Sequence, residues 1–126
     1  MPRAYARFAE GGYECSTRGD RRFSALCARL ADGRTIEEAY QLDVKGYRAL
    51  GNDWRLGKGK PALRPDVNLW TEYMALWRTW ASQNPRLIAE LARLSVNRTL
   101  TDCFATGPVS QARALADLLT EFDEDL

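Results

Sequence analysis

There is no histidine among the 126 residues of this chain. That absence removes every Ser-His-Asp and Cys-His catalytic device, together with the common imidazole-ligated metal sites. Cysteine is scarce: Cys15, Cys27 and Cys103 are odd in number, widely spaced and contain no Cys-x-x-Cys pair. A disulfide framework and a zinc site are both poorly supported, and buried thiols are the simpler expectation. The sequence therefore calls for no metal and no cofactor. No run approaches the ~18 consecutive apolar residues of a membrane span, so no membrane partner is expected. The opening MPRAYARF lacks the apolar core of a secretion signal, which points to the cytoplasm. A charge excess is missing too, with 18 Lys+Arg against 17 Asp+Glu. Global charge thus disfavours a nucleic-acid binder, although a local basic patch leaves nucleic acid open as a partner.

What is present suffices for one folded unit. An apolar fraction of 45% can build one real core, and the length does not support two. Tyr5 to Phe8 and Tyr13 to Thr17 read as short strands around Glu10-Gly11-Gly12, a hairpin or loop. Asp20 is placed to cap a helix carrying Phe23, Leu26, Cys27 and Leu30 at helical spacing, which Asp32-Gly33 stops. Thr35 and Glu38 form a capping box at the start of a second helix.

Residues 45–65 differ in composition, with four glycines, two prolines and six basic residues against Asp53 alone. This predicts a long surface loop pinned by Tyr47 and Trp54. A broad apolar stripe from Leu69 to Trp80 predicts the strongest helix, and Asn84-Pro85 opens another. Residues 99–105 alternate and read as a strand. Thr106-Gly107-Pro108 turns into a last helix burying Val109, Ala112, Leu115, Ala116 and Leu119, and residues 121–126 form an acidic, fraying tail. The expected architecture is a single α/β domain, with a small sheet of two to four strands covered by helices.

Two strand-to-helix turns carry the functional expectation. At the second, Thr101, Asp102, Ser110, Gln111 and Arg113 surround a helix start, where free N–H groups and the helix dipole favour anions. At the first, Arg18, Arg21 and Arg22 could hold a phosphate or carboxylate by bidentate hydrogen bonds. If the two strands are parallel neighbours, both turns open on one edge, where open α/β sheets take their ligands. Lys58 and Lys60 form a glycine-interleaved basic loop that could close over an anion, though the spacing of a phosphate loop is absent. For catalysis, Asp102 and Cys103 are the candidates, with no specific spacing behind them. Trp70, Trp77 and Trp80 read as core, and excess aromatic area also suits a homodimer interface.

Five stretches resemble small uncharacterised proteins carried by phages and prophages, over nearly the whole chain. They are residues 15–25 (CSTRGDRRFSA), 40–47 (YQLDVKGY), 57–61 (GKGKP), and 100–105 (LTDCFA) with 111–116 (QARALA). From Met74 to Leu119 the layout is also similar to a bacterial and phage domain of unknown function that ends in a CWC…CHGDVL pattern. In both, a Trp-bearing helix leads to a Pro-x-Leu helix, a strand and a short helix. This chain instead has Asp102-Cys103-Phe104 and Gln111-Ala112-Arg113, so the cysteine–histidine chemistry is missing. The resemblance supports the fold and places the protein in a host cytoplasm. The residues themselves point to a small phosphate-bearing ligand, such as a nucleotide or nucleoside-derived metabolite. The alternative is a non-catalytic module that contacts a host protein or nucleic acid through the basic loop.

Overall fold

The computed structural model describes residues 5–6, 12–46, 65–102 and 109–124. Three strands, β1 (Tyr5–Ala6), β2 (Tyr13–Glu14) and β3 (Leu100–Thr101), form one sheet in the order β1-β3-β2. Both pairings are parallel, with Leu100 opposite Tyr5 on one side and Tyr13 on the other. Of the two connections expected between the first two strands, a hairpin or a loop, the hairpin is ruled out, because β3 lies between them. Both β3 residues are buried, as the central strand of a parallel sheet covered by helices must be. Of the strand expected over 99–105, Leu100–Thr101 is in the sheet, and residues 103–108 lie outside the described part.

After β2 the chain makes a 3-10 turn at Arg21–Phe23, capped by the Asp20 side chain. The expected helix through Leu30 is absent, although Phe23 and Leu30 are buried as predicted. Its backbone groups are engaged elsewhere: the Ala25 N–H donates to Gln111, while the Ala25 and Ala28 carbonyls accept from Glu37 and Ile36. Those tertiary bonds replace the i→i+4 ladder a helix would need. Gly33 adopts φ +90°, the left-handed geometry expected of it.

The capping box at Thr35 and Glu38 is present and opens α1 (Ile36–Ala39), which continues as a π-helical turn at Tyr40–Val44. A 3-10 turn at Val67–Leu69 leads into α2 (Trp70–Gln83). Trp77 and Trp80 are fully buried and meet edge-on at 5.3 Å between ring centres; Phe23 packs edge-on against Trp80 at 6.2 Å. The tryptophan stripe is therefore core, with Trp70 half-buried at its end. Asn84 donates its side-chain amide to the Trp80 carbonyl, and Pro85 starts α3 (Pro85–Leu94), where its missing N–H costs nothing.

The last helix, α4 (Gln111–Glu124), packs on β1, β3 and α2. All five residues expected in its core are buried, and Ala114 and Leu118 join them, because the helix is flanked by the sheet and by α2. The acidic tail is helical as far as Glu124 rather than frayed, and Glu121 pairs with Arg78 of α2 at 2.8 Å. The fold is a small α/β one, with a parallel sheet under helices. No helix among the described residues is long and apolar enough to cross a membrane.

Candidate ligand site at the carboxyl edge of the sheet

Because β2 and β3 run parallel and side by side, their carboxyl ends share one edge. The first reversal leaves that edge through Ser16 and folds straight back on β2. Gly19 N–H donates to the Ser16 carbonyl and Asp20 N–H to the Glu14 carbonyl. Gly19 lies so close that a Cβ there would stand 2.4 Å from the Glu14 carbonyl oxygen, so no other residue fits without a shift.

Asp20 is the hub of this turn. It accepts a short hydrogen bond from the Tyr13 hydroxyl and a bidentate pair from Arg22, at 2.9 and 2.7 Å. The Arg22 contact, aided by Tyr13, holds the Asp20 carboxyl below its ordinary range, and the same ion pair raises Arg22. Burial first, and then Asp20, raise the Tyr13 phenol. Arg22 is thus committed to Asp20, and Arg21 donates to the Thr17 carbonyl at 3.4 Å. Arg18, Arg21 and Arg22 are all exposed along the outside of the turn.

At the second reversal the structure departs from the sequence expectation. Gln111, read as a ligand contact, is a latch: its Nε2 donates to the Cys15 carbonyl at 2.8 Å and its Oε1 accepts from Ala25 N–H at 2.8 Å. Ser110 is buried and its Oγ accepts from Arg113 N–H, an N-terminal cap. The Arg113 guanidinium turns along its own helix to Asp117 at 2.8 Å. Thr101 donates its hydroxyl to Glu14 across the β2–β3 pair at 2.8 Å. Asp102, one residue past β3, is 1% exposed. Lys58, Lys60 and Cys103 lie outside the described residues. The structure therefore brings Thr101, Asp102, Ser110, Gln111 and the arginine turn to one edge, with the polar interior already packed.

The charges sort themselves in depth. Burial pushes the Cys15 thiol far above its usual range, and Glu14, Asp20 and Asp102 add to this. Cys15 is consequently an inert core thiol, and the inner part of the edge is acidic, while the three arginines lie outside it.

Two buried residues, Glu37 and Tyr73, were not singled out by the sequence reading. Glu37 is buried, accepts from Gln41 Nε2 at 2.8 Å, and is tied to the edge through its backbone: Glu37 N–H donates to Ala25, whose own N–H donates to Gln111. Tyr73 of α2 is fully buried and packs edge-on against Tyr40 at 5.2 Å. Burial raises its phenol well above the ordinary value; the charges of Glu37 and Asp102 add to that, and the indole N–H of Trp77 opposes it. The available signal was the i, i+4 pair Glu37 and Gln41, which shares a helix face with the buried Tyr40.

A concavity of ≈ 320 Å³ lies between α2 and α4, lined by Trp70, Met74, Arg78, Asp117 and Glu121 among others. It is spanned by the Arg78–Glu121 pair and shares no residue with the sheet edge. The chain matches no protein-family model, no curated protein and no solved structure.

Proposed function

We propose that the protein binds a small phosphate-bearing ligand, a nucleotide or nucleoside-derived metabolite, at the carboxyl edge of β2 and β3. The observation that carries this reading is the parallel pairing of those strands, which delivers the arginine turn and the start of α4 to a single edge. A ligand phosphate takes the outer position, against Arg18 and Arg21, which are exposed along the outside of the turn. In the phage setting implied by the resemblance, such a protein sequesters or modifies a host metabolite.

The test is a thermal-shift and calorimetric screen of nucleoside mono-, di- and triphosphates. A true ligand at a hundred times its dissociation constant stabilises the fold by about 2.7 kcal/mol. The double variant Arg18→Ala, Arg21→Ala should lose affinity and most of its salt dependence while keeping the melting temperature of the free protein. A screen without any shift, or a shift untouched by that variant, refutes the reading.

A further inference from the structure

The groove between α2 and α4 is open, measurable in size, and separate from the sheet edge. Its α2 wall carries Trp70, Met74 and Arg78, and its α4 wall Asp117, Thr120 and Glu121. Spacings of three and four place each set on one face of its helix. At ≈ 320 Å³ the groove lies at the lower end of the range for small-molecule pockets.

Its two ends differ in chemistry. At the apolar end, Met74 is buried and forms the floor, while Trp70 is half-buried, unlike Trp77 and Trp80. Tyr73 packs against the Trp70 ring at 5.6 Å between centres and fixes its position. Val67, one turn before Trp70, is 65% exposed, so apolar surface continues past this end. At the charged end, Arg78 and Glu121 satisfy each other through contacts of 2.8 to 3.2 Å. Asp117 is not closed in the same way. Arg113 Nε takes its Oδ1 at 2.8 Å, and its Oδ2 is in no hydrogen bond among the described residues. The Thr120 hydroxyl donates to the Ala116 carbonyl at 3.1 Å, which leaves its oxygen able to accept.

The helix beneath these groups lacks a positive charge where one is favourable. α4 ends on Glu121, Asp123 and Glu124, with no basic residue in its last turn. The helix dipole already makes that end partially negative, and basic side chains there are stabilising. An anion is therefore repelled, and Arg78, the guanidinium in the lining, is held by Glu121. A divalent metal ion needs an oxygen cage, and among the described residues no group of three or more acidic, cysteine or histidine side chains could hold one.

We propose that this groove binds a small organic cation, an ammonium group on a short apolar stem. The ammonium donates to Asp117 Oδ2 and to the Thr120 oxygen. The stem lies on Met74 and against the Trp70 ring, whose face attracts cations. The site is independent of the phosphate reading, since the two share no residue.

The experiment is a proton–nitrogen NMR titration of the full chain with putrescine, agmatine and choline. The uncharged 1,4-butanediol and 3,3-dimethylbutan-1-ol serve as counterparts of the first and last. The probe is the Trp70 indole N–H resonance, assigned by its loss in Trp70→Phe. One cation should shift it with a midpoint below about 1 mM, and the uncharged compounds should not. Asp117→Asn should weaken that binding about 10-fold or more, the size of a hydrogen bond to a charged group. Arg113→Gln should tighten it, because it frees the second oxygen of Asp117. Loss of either partner of this partly exposed pair should leave the melting temperature nearly unchanged. The site is overturned if no cation moves the Trp70 resonance, if the uncharged compounds move it equally, or if Asp117→Asn binds as the parent does.

Discussion

Gln111 and Cys15 stand 96 positions apart and are joined by a 2.8 Å hydrogen bond from the Gln111 side chain to the Cys15 carbonyl. The other end of the same amide accepts from Ala25. One side chain thus binds the start of α4 to the two ends of the first reversal, and it explains why the segment after Phe23 is not a helix.

Replacing Gln111 with alanine leaves a buried carbonyl and a buried N–H without partners. The expected cost is about 2–4 kcal/mol, from two orphaned groups. Gln111→Glu should also destabilise, since a carboxylate cannot donate to Cys15. Urea denaturation of the two variants against the parent measures this, and a midpoint within error of the parent for Gln111→Ala would show that the latch is dispensable.

Gly19 and Gly33 are expected to respond to alanine for different reasons. Gly19→Ala drives a methyl into the Glu14 carbonyl, at a cost of about 1–3 kcal/mol unless β2 shifts. Gly33→Ala meets nothing within 4 Å, and its cost of about 1–2 kcal/mol comes from the backbone at φ +90°. Thermal melts give both values, and Gly19→Ala should also shift the amide resonances of Glu14 and Asp20, which Gly33→Ala leaves in place.

Acid stability should depend on Asp20. Its folded pKa lies below the unfolded value because Arg22 and Tyr13 hydrogen-bond the carboxylate. The contribution is therefore complete above about pH 3.9, the unfolded value, and is lost as pH falls through the folded pKa. Asp20→Asn should be less stable than the parent at neutral pH and show a shallower loss below pH 4. Parallel acid-limb curves for the two proteins would contradict this.

Cys15 should be silent toward thiol reagents in the folded state. Its thiol is raised by burial and by three neighbouring carboxylates, so almost no thiolate exists near pH 8. Labelling of the native protein with a chromogenic disulfide should have the same stoichiometry in the parent and in Cys15→Ser. In denaturant the parent should label one thiol more. A native difference of one thiol would place Cys15 at the surface.

Much of the helical framework was legible in the sequence. The Thr35–Glu38 box, the proline start of α3 and the tryptophan stripe of α2 each rest on contacts within a turn or two, which residue spacing encodes directly. The edge at which the candidate residues gather was legible in part, because Thr101, Asp102, Ser110 and the arginine turn each adjoin a strand end. Their roles were less so: Arg22 is neutralised by Asp20 two residues away, and Gln111 is engaged by backbone from distant segments.

The sequence by itself determined where helices start and which of their faces are apolar, since hydrophobic period and caps act locally. It also settled the absence of imidazole chemistry. Only the tertiary structure decided that β3 lies between β1 and β2, that the helical pattern after Phe23 yields to bonds with Gln111 and α1, and that Tyr40 and Tyr73 meet edge-on in the interior. The reason is physical: backbone groups and buried polar atoms take whichever partners packing brings near, and those partners lie far away along the chain.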